Sequence, residues 1–376
     1  MNYKNKILQF LLLSFFIQIT CSKVVAQTTL KEAFKNCFLI GTAVGTRELL
    51  DKDPRAMKFL QEQFNSISPE NCLKWQSVNP EPGKFNFAPA DSFVAVGERY
   101  HMFIIGHNLV WHSQVPRWVF EDSTGKPVTR EVLLQRMKDH ILTVVGRYKG
   151  RINGWDVVNE AIEDNGQLRK TKWLQIIGND YIEKAFEYAH EADPNAELYY
   201  NDYNQWMPGK RASVVKLIKD LKSKGIKITG IGIQGHWGLD YPPMDAIDSS
   251  MKAYSEAGVK LMISELDMDI LPSAFNNTSA DVSKRSALTK KLNPYTNGLP
   301  DSVAQVEAKR YAEFFKLFLK YKDSITRVTF WGMTDGQSWR NNWPIRGRSA
   351  YPLLFNDNYQ PKPAFYAVIK TVTGNK

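Results

Sequence analysis

The sequence predicts an α/β fold, a single (β/α)8 TIM barrel in which eight parallel strands alternate with helices. Short apolar and β-branched runs recur eight times, amphipathic stretches lie between them, and no Pro- or Ser-rich linker divides the chain. A length of 376 residues fits one such barrel with loop insertions. A doubly wound sheet is disfavoured, because no glycine-rich phosphate-binding turn follows the first strand.

The predicted elements follow one another along the chain. Strands are expected at residues 38–44, 65–69, 102–107, 154–159, 197–201, 228–234, 260–266 and 327–331, and helices at 54–64, 130–148, 172–192, 211–224, 244–257 and 303–321. Gly150, Pro194 and Gly225 act as helix stops. Residues 268–300 are rich in Ser, Asn, Thr and Lys and lack periodicity. They predict a long loop, which either walls a cleft or is a tolerated surface insertion.

The N-terminus has the pattern of a signal peptide. Two lysines precede an apolar run at residues 7–20, which is too short to span a bilayer, and a small-residue cleavage site ends at Ala26. We therefore expect a signal peptide at 1–26, a barrel domain at 27–376, and secretion to the periplasm or the bacterial cell surface. Lipidation at Cys21 is the alternative, although the residues before it match a lipobox poorly.

Cysteine spacing and charge exclude several classes of site. Cys37 and Cys72 are expected to be buried free thiols, with a single bridge between them as the alternative. No His/Cys cluster has metal-ligand spacing, so we predict neither a metal nor a cofactor. The net charge of +10 comes without a cluster of basic and aromatic residues, so nucleic acid is not an expected partner. No second apolar segment is long enough for a membrane span, and we expect a monomer.

Polar side chains follow almost every predicted strand, at the end of the barrel where reacting groups lie. These strand ends carry Glu70 and Asn71, His107, Asn159 and Glu160, Asp202, Gln234 and His236, Glu265 and Asp267, and Trp331. Charged groups are rarely buried without partners, so this pattern favours a functional site over a set of capping residues.

The types of residue at these strand ends indicate the chemistry. A nucleophile elbow and a thiol paired with a base are missing from the sequence, while carboxylates, amides, imidazoles and indoles are present. Cleavage of a glycosidic bond needs one carboxylic acid, one carboxylate, polar groups for hydroxyls, and aromatic faces for sugar rings. Glu160 and Glu265 end the fourth and seventh strands, so they can face each other. Separation by about 5–5.5 Å would give retention of configuration, and about 6.5–9.5 Å would give inversion.

The chain resembles glycoside hydrolase family 10, the endo-β-1,4-xylanases, over nearly all of its length after Ala26. Residues 155–161, WDVVNEA, are similar to the acid/base strand of the family, and residues 263–267, ISELD, to its nucleophile strand. The segments 65–75, 106–112, 232–237 and 329–339 resemble those that line the family's cleft.

The chain departs from the family pattern at four positions. Cys72 and Leu73 stand where Glu and Met are usual, Gln337 replaces a Tyr, and Asn356 replaces an Asp. The catalytic positions are unaffected. Gln337 and Asn356 are near enough to the cleft to affect binding.

The resemblance implies a retaining endo-1,4-β-xylanase that acts on xylan or xylo-oligosaccharides, with Glu160 as acid/base and Glu265 as nucleophile. It implies that the charge of Glu265 and partial desolvation raise the pKa of Glu160, and that His236 hydrogen-bonds an ionised Glu265. Asn159 would bond the sugar 2-hydroxyl. The other implied contacts are Glu70, Asn71, Lys74, His107, Trp111 and Gln234 on the glycone side, Trp331 and Trp339 at the cleaved ring, and Tyr203 on the aglycone side.

Three alternatives remain open. A β-glucanase or mannanase of the same clan would also carry an Asn-Glu pair after its fourth strand. A non-catalytic sugar-binding barrel would be expected to lack one of the two carboxylates. Trp111 and Trp331 can be core residues rather than sugar contacts, since an indole at a strand end can serve either purpose.

Overall fold

A closed barrel of parallel strands forms the centre of the computed structural model, which describes residues 28–50, 54–274, 282 and 285–374. Within these residues the strands are β1 (Leu39–Val44), β2 (Ser66–Pro69), β3 (Phe103–Val110), β4 (Gly154–Asn159), β5 (Glu197–Asp202), β6 (Gly230–Ile233), β7 (His236–Gly238), β8 (Lys260–Asp269) and β9 (Ile325–Phe330). β1 pairs with β2 and β9, and β6 pairs with β8, so that eight strands close on themselves and β7 lies beside β8. The (β/α)8 prediction is confirmed.

The sixth strand is shorter in the structure than the one predicted at 228–234, and a separate short strand follows it. β6 ends at Ile233 and β7 begins at His236, with Gly235 between them at a φ of +83°. This left-handed backbone conformation favours glycine, and it changes the direction of the chain between β6 and β7. As a result His236 pairs in register with Asp267 of β8 instead of continuing the pairing of β6.

Helices connect the strands, and the described residues contain α1 (Leu30–Ala33), α2 (Thr46–Leu50), α3 (Pro54–Gln63), α4 (Trp75–Val78), α5 (Ala88–Arg99), α6 (Arg130–Arg147), α7 (Lys172–Ile177), α8 (Tyr181–Ala192), α9 (Pro208–Ser223), α10 (Met244–Glu256), α11 (Asp301–Lys320) and α12 (Pro363–Thr373). The single helix predicted at 172–192 is wrong: it is two helices, because Gly178 adopts a φ of +101° and ends α7.

The amino-terminal half of the barrel interior is filled by large side chains. Ile105, Tyr199 and Met262 form a fully buried cluster there. Arg327 is 1% exposed and donates from Nη1 to the Tyr199 hydroxyl at 3.1 Å. This packing closes that end of the barrel, so a cleft must lie at the carboxyl ends of the strands.

Both barrel cysteines are free thiols, as predicted, but only Cys72 is buried and Cys37 is half-buried. The predicted signal peptide at 1–26, including Cys21, lies outside the described residues. In the predicted loop at 268–300, residues 275–281 and 283–284 also lie outside them, and the described part after β8 contains one short 3-10 turn, Lys290–Leu292. None of the helices in the described ranges is long and apolar enough to cross a membrane.

A buried ion cluster joins the last two helices to the loop after β9. Lys362 Nζ lies 2.9 Å from Glu307 Oε1 and 3.0 Å from Asp335 Oδ2, and it donates to the Tyr351 carbonyl at 2.7 Å. Burial raises the pKa of Glu307 to about 8 and that of Asp335 to about 6, although Lys362 opposes both shifts. Lys362 is therefore the cation that allows two acidic groups to be buried here.

We predict that Lys362→Met lowers the free energy of unfolding at neutral pH by about 3–5 kcal/mol, because it leaves Glu307 and Asp335 buried without their cation. Their folded-state pKa values would rise further, so the loss should be larger at pH 8 than at pH 5. Urea unfolding at both pH values measures it. Lys320→Met is the control, since Lys320 forms an exposed pair with Asp248 and should cost less than about 1 kcal/mol. Equal losses for the two variants would contradict the prediction.

Candidate active site

A cleft of about 430 Å³ lies at the carboxyl ends of the strands. Every site residue predicted from the sequence except Tyr203 lines it, namely Glu70, Asn71, Lys74, His107, Trp111, Asn159, Glu160, Gln234, His236, Glu265, Trp331 and Trp339. The structure adds Ser113, Gln114, Val282, Arg285 and Trp343. The described part of the 268–300 loop thus contributes to the cleft wall, which was one of its two interpretations.

Glu160 follows β4 and holds a carboxyl group that favours its proton. The residue is 5% exposed, and its backbone has a φ of +57°, a conformation that is strained for a glutamate. Trp111 Nε1 donates to Oε2 at 2.8 Å, and Gln234 Nε2 donates to Oε1 at 3.0 Å. Burial raises the pKa of Glu160 and the charge of Glu265 adds to the shift. The predicted direction is confirmed, with burial as the larger cause.

Glu265 lies within β8 and favours the opposite protonation state. It is also 5% exposed, but Asn201 Nδ2 donates to Oε1 at 2.7 Å and His236 Nε2 lies 3.3 Å from Oε2. Burial alone would raise the pKa of this carboxyl, yet the hydrogen bond from His236 and the neighbouring imidazoles outweigh it and lower the pKa. Burial in the same cleft therefore leaves the two carboxyl groups with opposite tendencies, because the pKa of Glu160 is raised and that of Glu265 is lowered.

Asp267 determines the charge of His236. His236 Nδ1 lies 2.8 Å from Asp267 Oδ1, and although burial opposes a charged imidazole, Asp267 and Glu265 together raise the pKa of His236 to about 9. Asp267 is fully buried and also accepts from Arg340 Nε at 2.9 Å and Trp339 Nε1 at 2.6 Å. At neutral pH both ring nitrogens of His236 are consequently donors, one to each carboxylate.

Asn201 at the end of β5 is a site residue that the sequence-based prediction did not include. Its Oδ1 accepts from Ser264 Oγ at 2.6 Å, which turns its amide nitrogen towards Glu265. The same nitrogen lies 2.9 Å from the side chain of Asn159. Its position at a strand end was a signal for its role, but many strand-end amides are only caps.

One wall of the cleft is built by the segments that follow β2 and β3. Lys74 Nζ donates to Asn71 Oδ1 and Gln114 Oε1, both at 3.0 Å, and lies 5.1 Å from the centre of the Trp111 ring. Burial raises the pKa of Glu70, and Lys74 opposes the shift. This wall therefore presents carboxyl, amide and ammonium groups to the cleft.

Indole rings form another wall. Trp339 stacks on Trp343 with ring centroids 4.6 Å apart and planes at 15°, and its ring lies 4.9 Å from that of His236. Trp331 meets His107 edge-on at 5.3 Å, while His107 Nδ1 lies 2.9 Å from Asp156 Oδ2. Trp331 is 7% exposed and lines the cleft, so it is part of both the core and the wall.

Tyr203 is placed differently from the other predicted residues. It is buried beside the cleft, and its hydroxyl accepts from Arg169 Nη2 at 2.7 Å. Arg169 Nε donates to the carbonyl of Glu160 at 3.0 Å. Tyr203 is thus connected to the acid through a guanidinium that the sequence analysis did not single out. Among the described residues, no group of three or more His, Cys, Asp or Glu side chains could hold a metal ion.

Comparison with known proteins agrees with this geometry. The model of glycosyl hydrolase family 10 matches residues 29–371. Endo-1,4-beta-xylanase A of Xylanibacter ruminicola is 46% identical over 344 residues, covering 92% of this chain and 93% of the relative. An endo-1,4-beta-xylanase of Geobacillus stearothermophilus is 42% identical, covering 93% and 99%. The solved structure of a GH10 endoxylanase from a sugarcane soil metagenome is 46% identical with a TM-score of 0.88, covering 91% of this chain and 99% of the other.

We predict that Asp267→Asn lowers the pKa of His236 from about 9 towards its ordinary value of 6.5, because the substitution removes the buried negative charge. NMR titration of the imidazole resonances in ¹⁵N-histidine-labelled protein measures the change. Asp269→Asn is the matched control: Asp269 lies 3.2 Å from Arg340 Nη1, so the variant loses a carboxylate from the same cluster but not the one that contacts His236. An unchanged His236 pKa in Asp267→Asn would refute the assignment.

Proposed function

The chain belongs to glycosyl hydrolase family 10, and we propose that it is a retaining endo-1,4-β-xylanase with Glu160 as acid/base and Glu265 as nucleophile. The observation that carries this proposal is a pair of carboxyl groups buried in the same cleft with different hydrogen-bond donors: an indole and an amide contact Glu160, whereas an imidazole and an amide contact Glu265. A retaining glycosidase needs one carboxyl group that gives up a proton and one that attacks as an anion. Relatives named as endo-1,4-beta-xylanases cover more than nine-tenths of the chain, which supports xylan as the substrate.

In the first step, an oxygen of Glu265 attacks the anomeric carbon of a xylose unit and forms a glycosyl ester. The bond to the leaving oxygen breaks, and Glu160 transfers its proton to that oxygen. His236 and Asn201 hold Glu265 in place, because each of them hydrogen-bonds one of its two oxygens. These hydrogen bonds reduce the number of orientations that the Glu265 carboxylate can adopt, so less conformational freedom is lost when it reaches the reactive orientation.

In the second step, Glu160 acts as a base. The ester carries no charge, so the repulsion that helped to protonate Glu160 is gone and its pKa falls. Glu160 takes a proton from water, the oxygen of the water attacks the anomeric carbon, and Glu265 leaves as a carboxylate. Two inversions at one carbon give net retention.

The remaining cleft residues bind the sugar chain. Trp331 and Trp339 pack on the ring at the cleavage point, and Asn159 bonds its 2-hydroxyl, a contact that strengthens as positive charge develops. The polar wall binds the glycone through Glu70, Asn71, Lys74, His107, Trp111 and Gln234. Tyr203 lies on the aglycone side.

We also propose where the enzyme acts. Residues 1–26 are removed as a signal peptide, and the domain at 27–376 works in the periplasm or at the cell surface as a monomer. The nature of the substrate supports export, because a polysaccharide does not cross the inner membrane. A lipid anchor at Cys21 is the second candidate for the N-terminus.

We predict release of reducing ends from xylan but little or none from carboxymethyl-cellulose or mannan, measured by a reducing-sugar assay. Proton NMR in the first minutes should show the β-anomer of the new reducing end before mutarotation, because a double displacement retains configuration. Activity only on the two other polymers would indicate a glucanase or mannanase. An initial α-anomer would rule out the double displacement.

Two variants serve as controls for this experiment. Glu265→Gln should abolish hydrolysis, since a neutral amide cannot form the ester. Glu160→Gln should lower kcat/KM on xylan by about 10²–10⁴-fold, because it removes the proton donor. Unchanged hydrolysis by Glu160→Gln would contradict the acid/base assignment, whereas no hydrolysis by the wild type would favour a non-catalytic sugar-binding role for the cleft.

We predict that the exported form of the full-length chain begins at Gln27, because cleavage after Ala26 fits the small-residue rule. Intact-mass spectrometry of the protein from the periplasmic and membrane fractions measures this. Cys21→Ser is the control, and it should leave the mature mass unchanged. A membrane-bound product that begins at a lipidated Cys21, and is lost in Cys21→Ser, would establish the anchor in place of cleavage after Ala26.

A further inference from the structure

Outside the cleft, one arginine connects the acid/base to the neighbouring strand. Arg169 lies between β4 and α7 with a side chain that is 11% exposed. Its Nε donates to the Glu160 carbonyl at 3.0 Å, and its Nη2 donates to the Tyr203 hydroxyl at 2.7 Å. The two ends of the guanidinium thus contact the ends of β4 and β5.

The loop after β4 folds back to bring Arg169 to this position. The Arg169 amide donates to the Ala161 carbonyl at 2.8 Å, and Ile162 pairs with Leu168 in an antiparallel bridge. Gly166 turns the loop at a φ of +88°, and a Cβ there would lie 2.6 Å from the Gly209 carbonyl oxygen. Close packing against α9 therefore fixes the loop, and the arginine with it.

The backbone of Glu160 needs such support. Its φ of +57° is in the left-handed region, where a residue with a side chain persists only if the surroundings hold it. On one side the Glu160 amide donates to the Asn201 carbonyl at 2.9 Å. On the other, the Glu160 carbonyl accepts from Arg169. The direction of the acid side chain depends on both contacts.

We propose that Arg169 is a positioning residue for the acid/base: by clamping the Glu160 carbonyl to the Tyr203 hydroxyl, it aims the Glu160 carboxyl at the leaving-group oxygen. This inference rests on the proposed function, since it needs Glu160 to be the proton donor. Arg169 itself lines a neighbouring cavity and not the cleft, so it acts through Glu160 and does not contact the bond that breaks.

Arg169 also has an electrostatic effect on Glu160. The charged and titratable groups that face Glu160 are Glu265, His112, Arg169, Lys74, Tyr203 and Asp202. Within this set, the positive charge of Arg169 lowers the pKa of Glu160 and so works against burial. Removal of this charge should raise the pKa of Glu160 and move the alkaline limb of kcat/KM to higher pH.

The leaving-group dependence of kcat/KM tests the proposal. This ratio reports the step in which the glycosyl ester forms, and that step needs an acid only when the leaving group is poor. We expect Arg169→Met to lower kcat/KM about 10- to 100-fold on xylan and on phenyl β-xylobioside, but less than about threefold on the dinitrophenyl analogue. Arg169→Lys keeps the charge but cannot contact both oxygens, and it should fall between Arg169→Met and the wild type.

Two further variants make the result decisive. Glu163 lies 3.5 Å from Arg169 Nη1 and is 42% exposed. Glu163→Gln therefore removes a charged neighbour of the guanidinium without changing a contact of Glu160, and it should leave kcat/KM unchanged on every substrate. Glu160→Gln is the reference variant. It should show the same dependence of kcat/KM on the leaving group as Arg169→Met, with larger losses on the substrates that have poor leaving groups. If it does and Arg169→Met slows all substrates equally, Arg169 is merely structural and the proposal is overturned. If Glu160→Gln lacks the pattern, the acid/base assignment itself fails.

The pH profile and the fold are measured in the same series. An alkaline limb that moves to higher pH in Arg169→Met but not in Glu163→Gln supports the clamp, because a purely structural loss would lower the whole profile without moving it. Thermal unfolding of each variant identifies any that do not fold. An Arg169→Met enzyme that is folded and has the wild-type leaving-group dependence would overturn the proposal.

Discussion

Two carboxyl groups buried in one cleft cannot both be charged at little cost, and the rest of the site decides which of them keeps its proton. The difference lies in their donors. Glu160 receives hydrogen bonds from an indole and an amide, both neutral, whereas Glu265 receives one from an imidazole whose pKa is raised to about 9. A cationic donor compensates for the burial of an anion, and neutral donors do not do so fully. Asp267 supplies the charge that keeps His236 cationic.

The barrel makes this arrangement geometrically simple. Glu265 and Asp267 are two residues apart on β8, so their side chains lie on the same face of the strand. The break in the sixth strand at Gly235 places His236 in register with Asp267, within reach of both carboxylates. A continuous sixth strand would have kept its pairing and directed the imidazole elsewhere. The charge state of Glu265, the proposed nucleophile, therefore depends on a backbone irregularity in a neighbouring strand.

The group of side chains at the strand ends was predictable from the sequence, because parallel strands place their last residues at the same end of the barrel. That rule, with the family resemblance, located every predicted cleft residue except Tyr203. It could not find Arg169, which lies in an aperiodic loop and reaches Glu160 only because the loop folds back through the Ile162 and Leu168 pair. Trp343 was missed for a similar reason, since its stacking on Trp339 depends on the path of a loop. Gly178 divides the helix predicted at 172–192, and it was a helix stop of the same kind as Gly150 and Gly225 that the prediction did not use.

In the proposed double displacement, the smaller contribution to the pKa of Glu160 is the one that controls its change from acid to base. Burial is the larger cause of the raised pKa, but the protein walls remain in place throughout the reaction. The charge of Glu265 is different, because it disappears when the ester forms. At that point the hydrogen bonds from Trp111 and Gln234 and the positive charge of Arg169 still favour the anion, and the opposing charge is gone. In this mechanism, burial makes Glu160 an acid, and the covalent state of Glu265 determines when Glu160 becomes a base.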